Sequence, residues 1–166
     1  MVTETMVRMG ELVASKDPES VFTALGLGSC IGLCAYDPIA KVAAMAHVVL
    51  PSAIGNGNGL PAKSADAAVP NLIAAMVKLG AAERRIKVAI AGGAQIFAFR
   101  NADMHMDVGT RNSDAVTNLL ASRKINLIAS DVGGGSGRTV KLYVDTGIVG
   151  VRVAGKPEYV LAKLAL

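Results

Sequence analysis

The sequence predicts an α/β chain of the α+β kind, mostly sheet with a few helices, and three observations predict it. Turn residues punctuate the chain often, leaving short segments rich in Val, Ile and Ala, as strands are. Residues 64–80 instead carry apolar side chains three and four apart, the spacing of a helix with one buried face. The composition, 52% hydrophobic and 18% charged, excludes disorder and requires a well-buried interior. A chain of 166 residues encloses one substantial core and divides poorly into two, so residues 1–166 are expected to form a single domain.

The elements follow in order. Met6 to Ala14 reads as a first strand, ended by Lys16, Asp17 and Pro18, and Val21 to Leu25 as a second. Ile31 to Tyr36 is stopped by Asp37 and Pro38, a turn pair, and Val42 to Leu50 runs back until Pro51. These two form a hairpin-like pair whose turn, placed at residues 37–40, sets Cys30 opposite His47. Directly opposed side chains have Cβ atoms about 5 Å apart, so thiol and imidazole are expected to touch. Ser52 to Lys63, with Gly55, Asn56, Gly57, Asn58, Gly59 and Pro61, is a surface loop that serves either as a lid or as a plain connection. Ser64, Ala65 and Asp66 open the helix, Ala68, Leu72, Ala75, Met76 and Leu79 form its inner face, and Gly80 closes it as the residue past the C-cap. A buried strand, Ile86 to Ala91, ends in Gly92 and Gly93; Asn112 or Ser113 then caps a second helix running to about Arg123. Strands Asn126 to Asp131, Thr139 to Asp145 and Ile148 to Val153 finish the reading, with Thr146-Gly147 joining the last two as a hairpin.

Charge and hydropathy exclude several classes of function. Mean hydropathy is +0.44, but the longest apolar stretch, Val42 to Leu50, is too short to span a bilayer and contains His47. The segment MVTETMVRMG has no apolar region of the signal-peptide kind, so a cytoplasmic location is expected, without membrane insertion. The net charge of +4 is scattered, and without Trp there is no basic-aromatic platform for nucleic acid; the mild positive field suits an acidic protein partner. Two cysteines make no disulfide framework and are expected as free thiols.

The segment that carries chemistry is Leu25-Gly26-Leu27-Gly28-Ser29-Cys30, a glycine-spaced turn delivering a cysteine onto the start of a strand. Glycines let backbone N–H groups approach one point, so those at Gly28, Ser29 and Cys30 are candidate oxyanion donors and substrate contacts. The thiolate is the reactive form of cysteine and needs a nearby base, and His47 is the histidine placed to be one. The alternative is a structural cysteine beside a core histidine. Cys34, four residues along an extended strand, lies about 13 Å from Cys30, too far for a disulfide, and reads as core. A zinc site from Cys30, Cys34, His47 and His105 has no usual ligand spacing, so no metal is expected, and His105 reads as a surface residue. Gly26-Leu27-Gly28 lacks the third glycine of a dinucleotide loop, and Gly150 to Lys156 is followed by Pro157 where a phosphate loop has Ser or Thr.

Residues 25–51, LGLGSCIGLCAYDPIAKVAAMAHVVLP, closely resemble the signature of the CheD family, the chemoreceptor glutamine deamidases of bacterial and archaeal chemotaxis. The resemblance extends through Gly92-Gly93-Ala94 with Phe97, through Gly109-Thr110-Arg111-Asn112, and through Asp131 to Arg138. It implies a layered sandwich of mixed β-sheets with helices packed outside, similar to cysteine deamidase toxin domains. It also implies hydrolysis of glutamine side-chain amides on the cytoplasmic helices of chemoreceptors, with Cys30 as nucleophile, His47 as its base and proton donor to departing ammonia, and no cofactor. The phosphatase CheC is implied as a partner. One departure stands out: the family usually has a catalytic Thr where this chain has Ala24, with Thr23 one step earlier. A one-residue slip turns a strand side chain to the opposite face. Either a bulge near Ala24 restores Thr23 to the site, or another group orients His47, or the chain is a non-catalytic module that binds receptors or CheC.

Overall fold

The architecture follows from two alternating strand patterns that share one buried layer. A computed structural model describes residues 1–53, 59–95 and 107–166. Ten strands are assigned among them: β1 Thr3–Met6, β2 Leu12–Ser15, β3 Ser20–Leu27, β4 Ile31–Asp37, β5 Val42–Val48, β6 Lys87–Gly92, β7 Asn126–Val132, β8 Arg138–Tyr143, β9 Ile148–Val153 and β10 Tyr159–Lys163. Helices α1 Ala65–Lys78 and α2 Val108–Ser122 complete the set, with a 3-10 turn at Glu83–Arg85. The strands form two five-stranded mixed sheets, ordered β1-β3-β8-β9-β10 and β2-β5-β4-β6-β7. In each, one edge pair is parallel (β1 with β3, β6 with β7) and the rest are antiparallel.

Period-two alternation sorts the side chains of the central strands into two cores. Ile31, Leu33, Ala35, Val42, Ala44, Ala46 and Val48 face the helices, where Val69, Leu72, Met76, Val116 and Leu120 meet them. Cys30, Cys34, Tyr36, Ala43 and Met45 face the other sheet and pack against Phe22, Ala24, Leu27, Val140, Leu142 and Val151. The layers are thus sheet, sheet and helices, the α+β sandwich expected. β4 and β5 are buried on both faces, which is why they read as continuous apolar runs.

Four expectations are corrected. The single strand over Met6 to Ala14 is two strands in different sheets, because Gly10 turns the chain at φ +81 and a Cβ there would meet Leu60 Cδ1 at 2.9 Å. The second helix starts at Val108, capped by Asp107, whose carboxylate accepts from Thr110 N at 3.0 Å; Asn112 and Ser113 lie inside the helix and are buried. β10 is a strand that the sequence pattern does not predict, since Tyr159 and Val160 are exposed and leave no clean alternation. The β4–β5 turn sits one residue later than expected, with Asp37 opposite Val42, and this moves every cross-strand partner by two residues. Asp37 accepts from Ile39 N and Ala40 N at 2.9 and 3.1 Å, and Lys41 takes φ +55 to complete the four-residue loop. Asp37, buried at this turn, is paired with Arg85.

Candidate active site

The shifted turn sets Gly32, rather than Cys30, opposite His47, and the ladder ends with Ile31 opposite Val48. Two residues is an even shift, so it preserves the face. Cys30 lies two residues before Gly32, just past the end of the ladder, and shares with His47 the surface turned toward the other sheet. Gly32 leaves the space between them free of a side chain; a Cβ there would already press on Leu27 Cδ1 at 3.0 Å.

His47 is 5% exposed and held from one side. The chain between β1 and β2 folds over it: His47 N donates to Glu11 O, Gly10 N donates to His47 O, and His47 Nδ1 lies 2.9 Å from Val7 O. A carbonyl only accepts, so Nδ1 carries the proton and Nε2 presents its lone pair. Burial pushes the imidazole below its ordinary value, opposed by the Val7 bond and by Glu11. Cys30, 9% exposed, has its thiol pushed up by burial, so the resting pair is neutral thiol and neutral imidazole. Cys34 is fully buried with its thiol pushed up to about 12. Both cysteines are free.

The backbone before Cys30 is anchored carbonyl by carbonyl. Gly28 O accepts from Ala94 N at 2.8 Å, Ser29 O from Asn112 Nδ2 at 2.8 Å, and Cys30 O from Gly93 N at 2.9 Å. The glycines of two of the singled-out motifs make these approaches possible. A Cβ on Gly92 would lie 2.1 Å from Cys30 O, and one on Gly109 would lie 2.4 Å from Gly93 O, so α2 can only dock on the β6 end through glycine. Arg138 packs beneath, its Nη1 donating to Gly92 O and its Nη2 to Asp131. Peptide N–H and C=O groups point in opposite directions, so carbonyls drawn toward β6 and α2 turn the Ser29 and Cys30 N–H groups the other way. Neither donates to a partner among the described residues.

Thr23 and Ala24 divide between two faces. Ala24 pairs with Val140 inside the inter-sheet core, and Thr23 pairs with Lys141 on the other side of the sheet. A bulge is present, but it falls between Ala24 and Leu27, after Thr23, so it does not bring Thr23 to the inner face. The Thr23 hydroxyl is buried without a hydrogen-bond partner among the described residues. Thr23 nevertheless lines one cavity of about 450 Å³ with His47, Met6, Val7, Arg8, Met9 and Leu25. The group that orients His47 is therefore the Val7 carbonyl, which no side-chain pattern announces. Of the loop over Ser52 to Lys63, residues 54–58 lie outside the described residues; its far end is tied down by Ala62 N donating to Gly10 O. Phe97 and His105 also lie outside them. Among the described residues no cluster of three His, Cys, Asp or Glu is arranged to hold a metal, and no helix is long and apolar enough to cross a membrane.

A family model described as CheD chemotactic sensory transduction matches residues 49–153. The chain is 42% identical over 157 residues to a probable chemoreceptor glutamine deamidase CheD of Symbiobacterium thermophilum, covering 93% of this chain and 95% of that one. It is 43% identical over 155 residues to a protein of the same description from Desulfitobacterium hafniense, covering 93% and 96%. The chemoreceptor glutamine deamidase CheD of Thermotoga maritima is 41% identical over 153 residues, covering 92% and 94%.

Proposed function

The chain belongs to the CheD family, and we propose that it is a cytoplasmic protein-glutamine deamidase of chemoreceptors that works through Cys30 and His47 as one domain without a cofactor. The observation that carries the reading is the His47 Nδ1 bond to Val7 O, which leaves Nε2 unprotonated on the face that Cys30 shares. The names of the relatives supply the substrate, a glutamine of a chemoreceptor. The mildly basic chain suits an acidic partner surface, and CheC is a second candidate partner.

The chemistry runs in two halves. His47 Nε2 takes the Cys30 proton as sulfur bonds to the amide carbon, and the carbonyl oxygen becomes an oxyanion facing the Ser29 and Cys30 N–H groups. When the C–N bond breaks, His47 returns that proton to the departing nitrogen, releasing ammonia and leaving a thioester. Water, deprotonated by His47, then attacks the thioester; the C–S bond breaks, His47 returns the proton to the Cys30 sulfur, and the receptor side chain leaves the site as glutamate. A neutral resting pair agrees with this order, because the proton moves during attack and not before it. Thr23 forms part of the wall of the cavity that His47 lines, where a glutamine side chain is to enter.

Incubation of a purified chemoreceptor cytoplasmic fragment with the protein tests the reading by mass spectrometry. Each deamidated glutamine gains about 1 Da as ammonia is released, and Cys30→Ala abolishes the change; undiminished deamidation by Cys30→Ala overturns the assignment. A second reading is favoured by Ala24 standing inside the core where the family usually has Thr: a module that binds receptors or CheC without turnover. Under it, Cys30→Ala binds the fragment as the parent does and neither protein deamidates it.

A further inference from the structure

We infer that Asn112 is a positioning residue for the reaction, one amide that ties the Cys30 loop to the end of the His47 strand and so aims the oxyanion donors. The inference rests on Cys30 being the nucleophile. Asn112 is completely buried in the second turn of α2. Its Nδ2 donates to Ser29 O at 2.8 Å and to Val49 O at 2.9 Å, and because both partners are acceptors the orientation of the amide is fixed. Ser29 immediately precedes the nucleophile, and Val49 is two residues past His47. The β4–β5 ladder has ended at Ile31 and Val48, so this amide replaces the next rung where the two backbones part.

The chemical consequence is directional. Of the three carbonyls leading into Cys30, those of Gly28 and Cys30 are held by backbone donors, and only that of Ser29 is held by a side chain. The Ser29 carbonyl belongs to the same peptide unit as the Cys30 N–H, so fixing the one fixes the direction of the other. Without Asn112 that unit is free to rotate, and the sulfur loses the donor beside it. The Asn112 Oδ1 atom is buried without a hydrogen-bond partner among the described residues. Burying an unpaired polar atom is costly, which argues that this residue type serves the two donor bonds more than packing.

The test uses Asn112→Leu and Asn112→Ser, with ammonia release from a purified chemoreceptor cytoplasmic fragment and iodoacetamide labelling of the two cysteines. Alkylation makes no oxyanion, so Cys30 labels within about twofold of the parent rate, while kcat falls about 100-fold, the scale of a 1 Å misplacement, and KM stays within about twofold. Cys34, fully buried, stays unlabelled and reports that the fold persists. A kcat within about threefold of the parent in a variant whose Cys34 stays unlabelled overturns the inference. So does labelling of Cys34 in both variants with kcat falling only in proportion, which makes Asn112 a structural residue. Cys30→Ala separates the two levels: if it keeps full activity the nucleophile assignment fails, and if it is inactive while the Asn112 variants match the parent, only the role of Asn112 fails.

Discussion

Gly92→Ala is the substitution for which the geometry gives the firmest magnitude. Gly92 adopts φ +115, and a Cβ would lie 2.1 Å from Cys30 O and 3.4 Å from Ile31 Cα, both backbone atoms with no side-chain freedom to yield. The backbone conformation alone costs about 1–3 kcal/mol for a residue with a side chain. Relieving the overlap requires the Cys30 carbonyl to retreat by about 1 Å, which breaks the approach of Gly93 N and costs at least one further hydrogen bond, about 1 kcal/mol. A loss of about 2–4 kcal/mol lowers the melting temperature of a chain this size by about 5–15 °C. The same displacement moves the nucleophile, so ammonia release measured well below the melting transition falls about 100-fold. Gly80→Ala is the control: its φ is +106, yet a Cβ there meets nothing within 4 Å, so it carries the strain without the overlap. If Gly92→Ala melts no lower than Gly80→Ala and releases ammonia within about threefold of the parent, the Cys30 backbone is not held rigidly by β6 and the reasoning fails.

Further outcomes follow from the buried charges and the site pair. Arg85→Met removes the charged partner of the buried Asp37 carboxylate, which Arg85 Nε and Nη2 bond at 3.0 and 2.9 Å; the urea midpoint should fall below that of the parent, and an unchanged midpoint would contradict a stabilising role for this pair. The Arg85 bonds and three backbone N–H groups hold the Asp37 carboxyl down at about 2, against an ordinary 3.8, despite its burial. Its contribution, about 2 kcal/mol, is complete above the ordinary value and is lost as pH falls through about 2, so Asp37→Asn should be less stable near neutrality with a flatter acid limb. His47, pushed down by burial, contributes stability that is present above about pH 6.5 and lost as pH falls through its lower folded value; a urea midpoint series should show this slope shrink in His47→Gln. Iodoacetamide labelling of Cys30 should keep accelerating above about pH 8.5, where ordinary thiols level off, because burial raises this thiol; a plateau near neutrality would instead mark a preformed thiolate–imidazolium pair.

What could be read from the chain was what periodicity and punctuation determine. The apolar runs at Ile31 and Val42, the helix ending before Gly80 and the Thr146-Gly147 hairpin all have local causes, and the observed elements match them closely. Contacts made by backbone atoms left no such mark. Nothing in Val7 as a residue type says that its carbonyl will hold His47, and nothing in Gly10 says that the first apolar run will be divided between two sheets. Asn112 suited a helix cap by type, because capping and bridging use the same short amide; only the packing of Gly109 on Gly93 and Ala94 brings it beside Ser29. The motif glycines were visible, but their purpose was not: Gly92 and Gly109 are there for what approaches them.

The two register questions at the site show why one misplacement was harmless and the other matters. Placing the β4–β5 turn one residue early moves the partner of His47 by two residues, from Gly32 to Cys30, but leaves Cys30 on the same face, because strand side chains repeat every two residues. Thr23 and Ala24 differ by one residue, and an odd shift exchanges the faces: Ala24 takes the place inside the core, and Thr23 takes the opposite face of its strand. A bulge could reverse that only if it preceded Thr23, whereas this one follows Ala24 and uses Gly26 at φ +60 to return Leu27 to the interior. The bulge therefore shapes the glycine turn that delivers Cys30 and leaves the threonine where alternation puts it. A Thr23→Val substitution, which removes only the unpartnered hydroxyl, should accordingly leave ammonia release within about twofold of the parent and hold or raise stability. A loss of 100-fold or more would mean that the hydroxyl reaches His47 during turnover, and that the Val7 carbonyl is not sufficient to orient the base.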